Sequence, residues 1–151
     1  MQKKQITDRQ LHLAYEKARG ISVAYDTWID TKAYLKRAMV DITLQNVTVL
    51  GKLKQIVGNS AIPPLEYFAV ISTINYYTGF LSESMSGQNF LVFMREAKIK
   101  PNDACLYRWF KKCGFTFSRN KIYKKDVLTE VLFRAIVWQY KQNKKSVKQL
   151  N

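Results

Sequence analysis

The chain has 151 residues and a formal net charge of +14, with 25 Lys and Arg against 11 Asp and Glu. A hydrophobic fraction of 47% with 13% aromatics supplies a real core and excludes global disorder. Two cysteines without CxxC spacing and a single histidine cannot complete a four-ligand zinc site, and no run of about 20 mainly apolar residues is present to span a membrane. The length fits a single helical domain over residues 1–140, most basic over 87–140, with a basic tail at 141–151 that is expected to fray. Residues 1–86 hold 10 Lys and Arg against 7 acids, and residues 87–151 hold 15 against 4. Like charges repel and cost stability unless an oppositely charged partner is usually bound, and a phosphate backbone is the commonest such partner.

The N-terminal stretch Met1 to Gln5 is polar and lacks the apolar region of a secretory signal. Thr7 followed by Gln10 is a capping box, and Ile6 with Leu11 forms the matching hydrophobic staple of a first helix. Gly20 fits the left-handed position that closes it. A second, longer helix is expected from about Tyr25 to Val57, because Trp28, Leu35, Ile42, Val49 and Ile56 recur every seven residues. Thr43, Val47, Thr48, Val49 and Gly51 are poorer helix formers and allow a kink or break there, and Gly58-Asn59 ends the helix.

Pro63-Pro64 starts a third helix through Leu65, Phe68, Ala69, Ile71, Ile74 and Tyr77, apolar almost all round. After a polar loop from Ser82 to Gln88, a fourth helix takes Asn89 to Lys98, and Ile99-Lys100-Pro101 breaks it. Asn102 caps a fifth helix through Cys113, closed by Gly114. Phe115-Thr116-Phe117, a polar turn at Ser118 to Lys121, and Ile122-Tyr123 suit a small hairpin. Asp126 caps a last helix in which Leu128, Leu132, Ala135, Ile136 and Tyr140 repeat at three and four. The tail beyond carries Lys141, Lys144, Lys145 and Lys148 with no acid. The fold class is therefore all-α: a compact bundle of about six helices, with at most one short β-hairpin near residues 115–123.

The fifth helix is the sharpest functional feature. Arg108, Lys111 and Lys112 lie at i, i+3 and i+4 on one face, while Leu106, Trp109, Phe110 and Cys113 gather on the other. One side can pack while the other offers three cations. A preceding helix, a short break and a following wing give the order of a winged helix-turn-helix. The wing adds Arg119 and Lys121, with Lys124 and Lys125 just beyond and Lys144 and Lys145 in the tail. The competing reading is a solvated basic helix whose charges only keep the protein soluble. Trp109 and Phe110 read as core, whereas Phe117 and Tyr123 stand open between core and a surface on which bases stack.

Catalytic readings find little to work with. Asp26 and Asp30 are four residues apart, and Asp30-Thr31-Lys32 has the carboxylate-x-Lys order of metal-dependent nucleases, but in a helical rather than a strand context. His12 is the one imidazole, set between Leu11 and Leu13 with no sign of a triad. Gly51-Lys52 lacks the rest of a phosphate loop. Cys105 and Cys113 read as reduced thiols of a cytoplasmic protein. No enzyme, cofactor, metal or small-molecule substrate is expected.

A compact, basic, all-helical chain of this length without catalytic residues resembles the small subunits of CRISPR effector ribonucleoproteins. The resemblance covers architecture, size and charge and carries no residue role across. It implies a non-enzymatic part in an antiviral ribonucleoprotein, holding RNA or opened DNA through Lys and Arg, while base pairing reads sequence. The leading expectation is thus a backbone-binding subunit with protein partners or further copies of itself, in which Lys32, Lys36, Arg37, Lys52 and Lys54 also matter. The alternatives are a winged helix-turn-helix regulator, and an adaptor whose Tyr67, Tyr76 and Tyr77 pack on another protein.

Overall fold

The computed structural model describes residues 5–58 and 62–150, the side chains of residues 64 and 146–150 excepted. Met1 to Lys4, on which the signal-peptide reading rests, and Asn59 lie outside the described residues. The protein is mostly helical, with one short two-stranded antiparallel sheet. It divides into two compact units, Met1–Ser72 and Thr73–Asn151.

The first unit begins with α1 (Asp8–Arg19), and the expected capping box is in place. The Gln10 N–H donates to Thr7 Oγ1 at 3.1 Å, and the Thr7 N–H donates to Gln10 Oε1 at 2.8 Å. Gly20 closes the helix at φ 75°. The expected long second helix is two helices, α2 (Tyr25–Arg37) and α3 (Leu44–Val57). Ala38 caps α2, Met39 turns left-handed at φ 63°, and the Val40 N–H returns to the Leu35 carbonyl at 2.9 Å. Thr43 then caps α3 by accepting from the Asn46 N–H. The seven-residue recurrence misleads beyond Leu35. Trp28 and Leu35 are fully buried, but Ile42 is half-exposed before α3, and α3 buries Val47, Leu50 and Leu53 and leaves Val49 and Ile56 half-exposed. Gly51 marks no weakness in α3. A Cβ there would lie 2.8 Å from the Tyr15 carbonyl oxygen and from Ala18 Cβ, so α1 packs backbone-close on it.

Polar groups finish this unit. Asp8 Oδ1 accepts from Lys32 Nζ at 2.7 Å and from Trp28 Nε1 at 3.1 Å, and the Lys32 ammonium holds the Asp8 carboxyl below its ordinary value. His12 stacks flat on Trp28 at 5.4 Å between ring centres, with Nε2 2.7 Å from the Val23 carbonyl. A 3-10 turn (Pro64–Glu66) leads into α4 (Tyr67–Thr78), which crosses the division between the units. Buried Tyr67, Val70, Ile71 and Ile74 share α4 with exposed Phe68 and Tyr76, so this helix is not buried all round.

The second unit runs β1 (Ser84–Ser86), α5 (Gly87–Glu96), α6 (Asp103–Lys112), β2 (Ile122–Lys124) and α7 (Lys125–Leu150). The strand expected at Ile122-Tyr123 forms, but it pairs with β1, in the register Ser84 to Lys124, Met85 to Tyr123 and Ser86 to Ile122. Phe115 to Phe117 stay outside the sheet, and of the three Phe117 is buried in the core. Phe110 meets Phe117 at 4.9 Å and Tyr123 at 4.7 Å, and Phe90 at 6.1 Å. The Tyr123 hydroxyl donates to the Thr116 carbonyl and accepts from the Ser118 N–H, tying the strand to the loop before it. Both Phe117 and Tyr123 are therefore core side chains rather than stacking platforms. Last comes α7, which starts at Lys125, whose N–H donates to the Glu83 carbonyl, so Asp126 lies inside its first turn. The basic segment from Lys141 is the last part of α7, which runs to Leu150. A helix already nucleated extends cheaply through good formers such as Lys and Gln.

Candidate nucleic-acid interface

Local capping orients α6. The Asn102 side chain accepts from the Cys105 N–H at 2.8 Å, and the left-handed Gly114 (φ 89°) closes the far end as the Phe115 N–H bonds the Phe110 carbonyl. Asn102→Ala should cost about 1 kcal/mol of stability, read as a lower urea midpoint at unchanged slope. Between the caps, Cys105, Leu106, Trp109 and Phe110 are buried, and Tyr107, Arg108, Lys111 and Lys112 are exposed. The basic face derived from helical spacing is thus presented to solvent. Lys111 and Lys112 form no ion pair among the described residues. Arg108 Nη2 lies 3.4 Å from Cys105 Sγ, one turn back on the same helix.

The hairpin expected as a wing does not form; the single turn from Ser118 to Lys121 stands in the wing's place, joins this helix to β2 and is pinned to α5. The Gly87 N–H donates to the Lys121 carbonyl and the Gln88 N–H to the Arg119 carbonyl, each at 2.9 Å. These are free donors of the first helical turn, so the wing fills the bonds that α5 cannot make internally. Gln88 Oε1 also accepts from Arg119 Nη1 at 3.2 Å. Lys121 lies over the Phe115 ring at 4.9 Å, and its side chain remains exposed. Lys124 sits exposed on β2, and Lys125 is half-buried at the start of α7.

Lys144 and Lys145 are exposed too, but they lie nearly twenty residues along α7 from Lys125, roughly 28 Å at the helical rise, and do not join the wing. In the first unit the cations are more occupied. Lys32 is bound to Asp8, Arg37 lies over Tyr34 at 4.8 Å, and half-buried Lys54 lies near the Tyr15 and Tyr67 rings. Lys36 is exposed and Lys52 half-buried. Of the adaptor tyrosines, Tyr67 is buried, Tyr77 intermediate and Tyr76 exposed.

One basic cluster is missing from the sequence reading. Arg95, Lys100 and Arg119 rim a groove of about 210 Å³ beside the connection between α5 and α6. The signal was present in Arg95, Lys98 and Lys100 around the break at Pro101, but Arg119 joins them only through the fold.

Asp26 and Asp30 are both exposed on α2, and His12 is engaged with Trp28 and Val23. Cys105 and Cys113 are not joined in a disulfide, and Cys113 Sγ donates to Glu130 Oε2 at 2.6 Å. Among the described residues no group of three or more His, Cys, Asp and Glu could hold a metal ion, and no helix is long and apolar enough to cross a membrane. No protein-family model, curated protein or solved structure matches the chain.

Proposed function

We propose that this is a non-catalytic nucleic-acid-binding protein that grips the sugar–phosphate backbone with the second unit, through α6 and its wing. The observation that carries the reading is the α6 face of Arg108, Lys111 and Lys112, held outward by a buried aromatic side and flanked by a wing bonded to α5. The order β1, α5, α6, β2, with the strands paired around the helix pair, is that of a winged helix-turn-helix without a middle strand. The exposed face of α6 offers Tyr107 and three cations but no Asn or Gln beyond the cap, which favours backbone contact over base readout. Cys105 and Cys113 outside any disulfide suit a cytoplasmic setting.

A second reading, subunit of a ribonucleoprotein assembly as the CRISPR small-subunit resemblance implies, is favoured by one observation. Exposed Tyr76 and Phe80, packed edge to face at 5.1 Å, offer an apolar contact for a protein partner.

The test is titration of the purified chain against labelled duplex DNA, single-stranded DNA and RNA over a salt series. The expected result is binding to random sequences that falls steeply as salt rises. Preference for one duplex sequence would instead indicate a regulator. Absence of binding to all three at low salt would overturn the proposal.

A further inference from the structure

The connection between α5 and α6 carries three cations that the α6 face does not use. Arg95 lies in the last turn of α5, Lys98 follows its C-cap, and Lys100 precedes Pro101; all three are exposed. Arg95 and Lys100 reach a common groove of about 210 Å³ with Arg119 from the wing. Leu91, Met94, Ile99 and Pro101 supply apolar lining to the same groove. An apolar lining with a cationic rim matches a sugar–phosphate unit better than a free anion, because the carbon face of the sugar has something to pack on.

Lys98 adds an independent observation. Its φ is +61°, in the left-handed region that glycine occupies without penalty. The geometry is a helix stop: the Lys98 N–H donates to the Arg95 carbonyl and the Ile99 N–H to the Met94 carbonyl, with Ile99 buried beneath. Glycine fills the equivalent place after α6, at Gly114. Here an exposed lysine stands there instead, next in the chain to Ile99 of the groove lining but not itself part of that lining.

Resting on the assignment of α6 and the wing as the interface, we infer that this groove seats one sugar–phosphate unit of the bound strand between Arg95, Lys100 and Arg119, and that Lys98, reaching in from outside the lining, contacts its phosphate at the expense of a strained helix end. Asp103, also at the groove, is the one acid there and opposes a phosphate.

These features separate binding from folding by opposite signs. Lys98→Gly should raise the melting temperature by about 2–4 °C. The same variant should weaken binding of a labelled 20-base-pair random duplex about fivefold at 0.15 M salt, and make the salt slope shallower by about one. Asp103→Asn should tighten binding. Met39→Gly, at the uncharged left-handed helix stop after α2, should raise the melting temperature similarly and leave binding unchanged. A Lys98→Gly protein that melts higher but binds with unaltered affinity and slope overturns the inference and leaves the α6 interface standing. A wild-type chain that does not bind the duplex, or single strands, removes both.

Discussion

Gly87→Ala is expected to lower the unfolding free energy by about 2–3 kcal/mol, a fall of roughly 4–12 °C in melting temperature. Gly87 opens α5 in buried contact with the wing. A Cβ built there collides with the Ser118 carbonyl oxygen, and would lie 2.9 Å from a Phe117 ring carbon and 3.1 Å from Arg119 Cα. Two of those neighbours are backbone, so no rotamer change relieves the clash. The wing must move away, and the bonds from Gly87 N–H to Lys121 and from Gln88 N–H to Arg119 stretch with it. Phe117 is moreover in the aromatic cluster around Phe110, so the displacement reaches the core. Gly79→Ala provides the comparison. The nearest atom to a Cβ there is 3.5 Å away, and its backbone is not left-handed, so stability should change by less than about 0.5 kcal/mol. Urea unfolding of the two variants checks the difference. Equal midpoints would mean that the wing does not pack on α5 in solution. If the wing contributes to binding, Gly87→Ala should also weaken nucleic-acid affinity without removing a charge.

The same contact shows why parts of the fold were legible in the sequence and others were not. Helix ends that depend on neighbours three or four residues away were readable: Thr7 with Gln10, Asn102 with Cys105, and the left-handed Gly20 and Gly114. The stops after α2 and α5 are of the same kind, but place Met39 and Lys98 where glycine is the usual marker. That substitution left Thr43, the cap of α3, and the poor helix formers after it as the only mark of a break between α2 and α3, while the spacing of Trp28, Leu35 and Ile42 suggested continuity. β1 was hidden for another reason. Ser84-Met85-Ser86 is three residues of a polar stretch, and its partner lies forty positions along the chain. No local pattern encodes such a pairing. The candidate site divides the same way. Helical spacing alone sorts Arg108, Lys111 and Lys112 from Trp109 and Phe110, because both sets lie on one element. The groove needs Arg95 and Arg119 together, and only the pairing of β1 with β2 and the anchoring of the wing bring them there.

Replacing Arg108, Lys111 and Lys112 together by alanine should have the largest effect on binding. If each neutralises one duplex phosphate, the log–log salt dependence becomes shallower by about 2.7, since each phosphate contributes about 0.9. Carried to 0.15 M salt, that slope corresponds to a loss of about 170-fold in affinity, near 3 kcal/mol. For single strands the same contacts contribute about 0.7 each, so the slope change shrinks to about 2 and the ratio of the two reports which nucleic acid lies on the helix. A loss without a slope change would point to a disturbed surface rather than lost phosphate contacts. No loss at all would assign the α6 charges to solubility. Unfolding does not imitate the expected result. The three side chains are exposed, alanine is the best helix former, and Lys111 and Lys112 each give the C-terminal turn only about 0.3–1 kcal/mol through the helix dipole. Relief of repulsion among three neighbouring cations offsets part of that. The variant should therefore keep its helical circular dichroism and melt within a few degrees of wild type, so that the change in salt slope reads the interface itself.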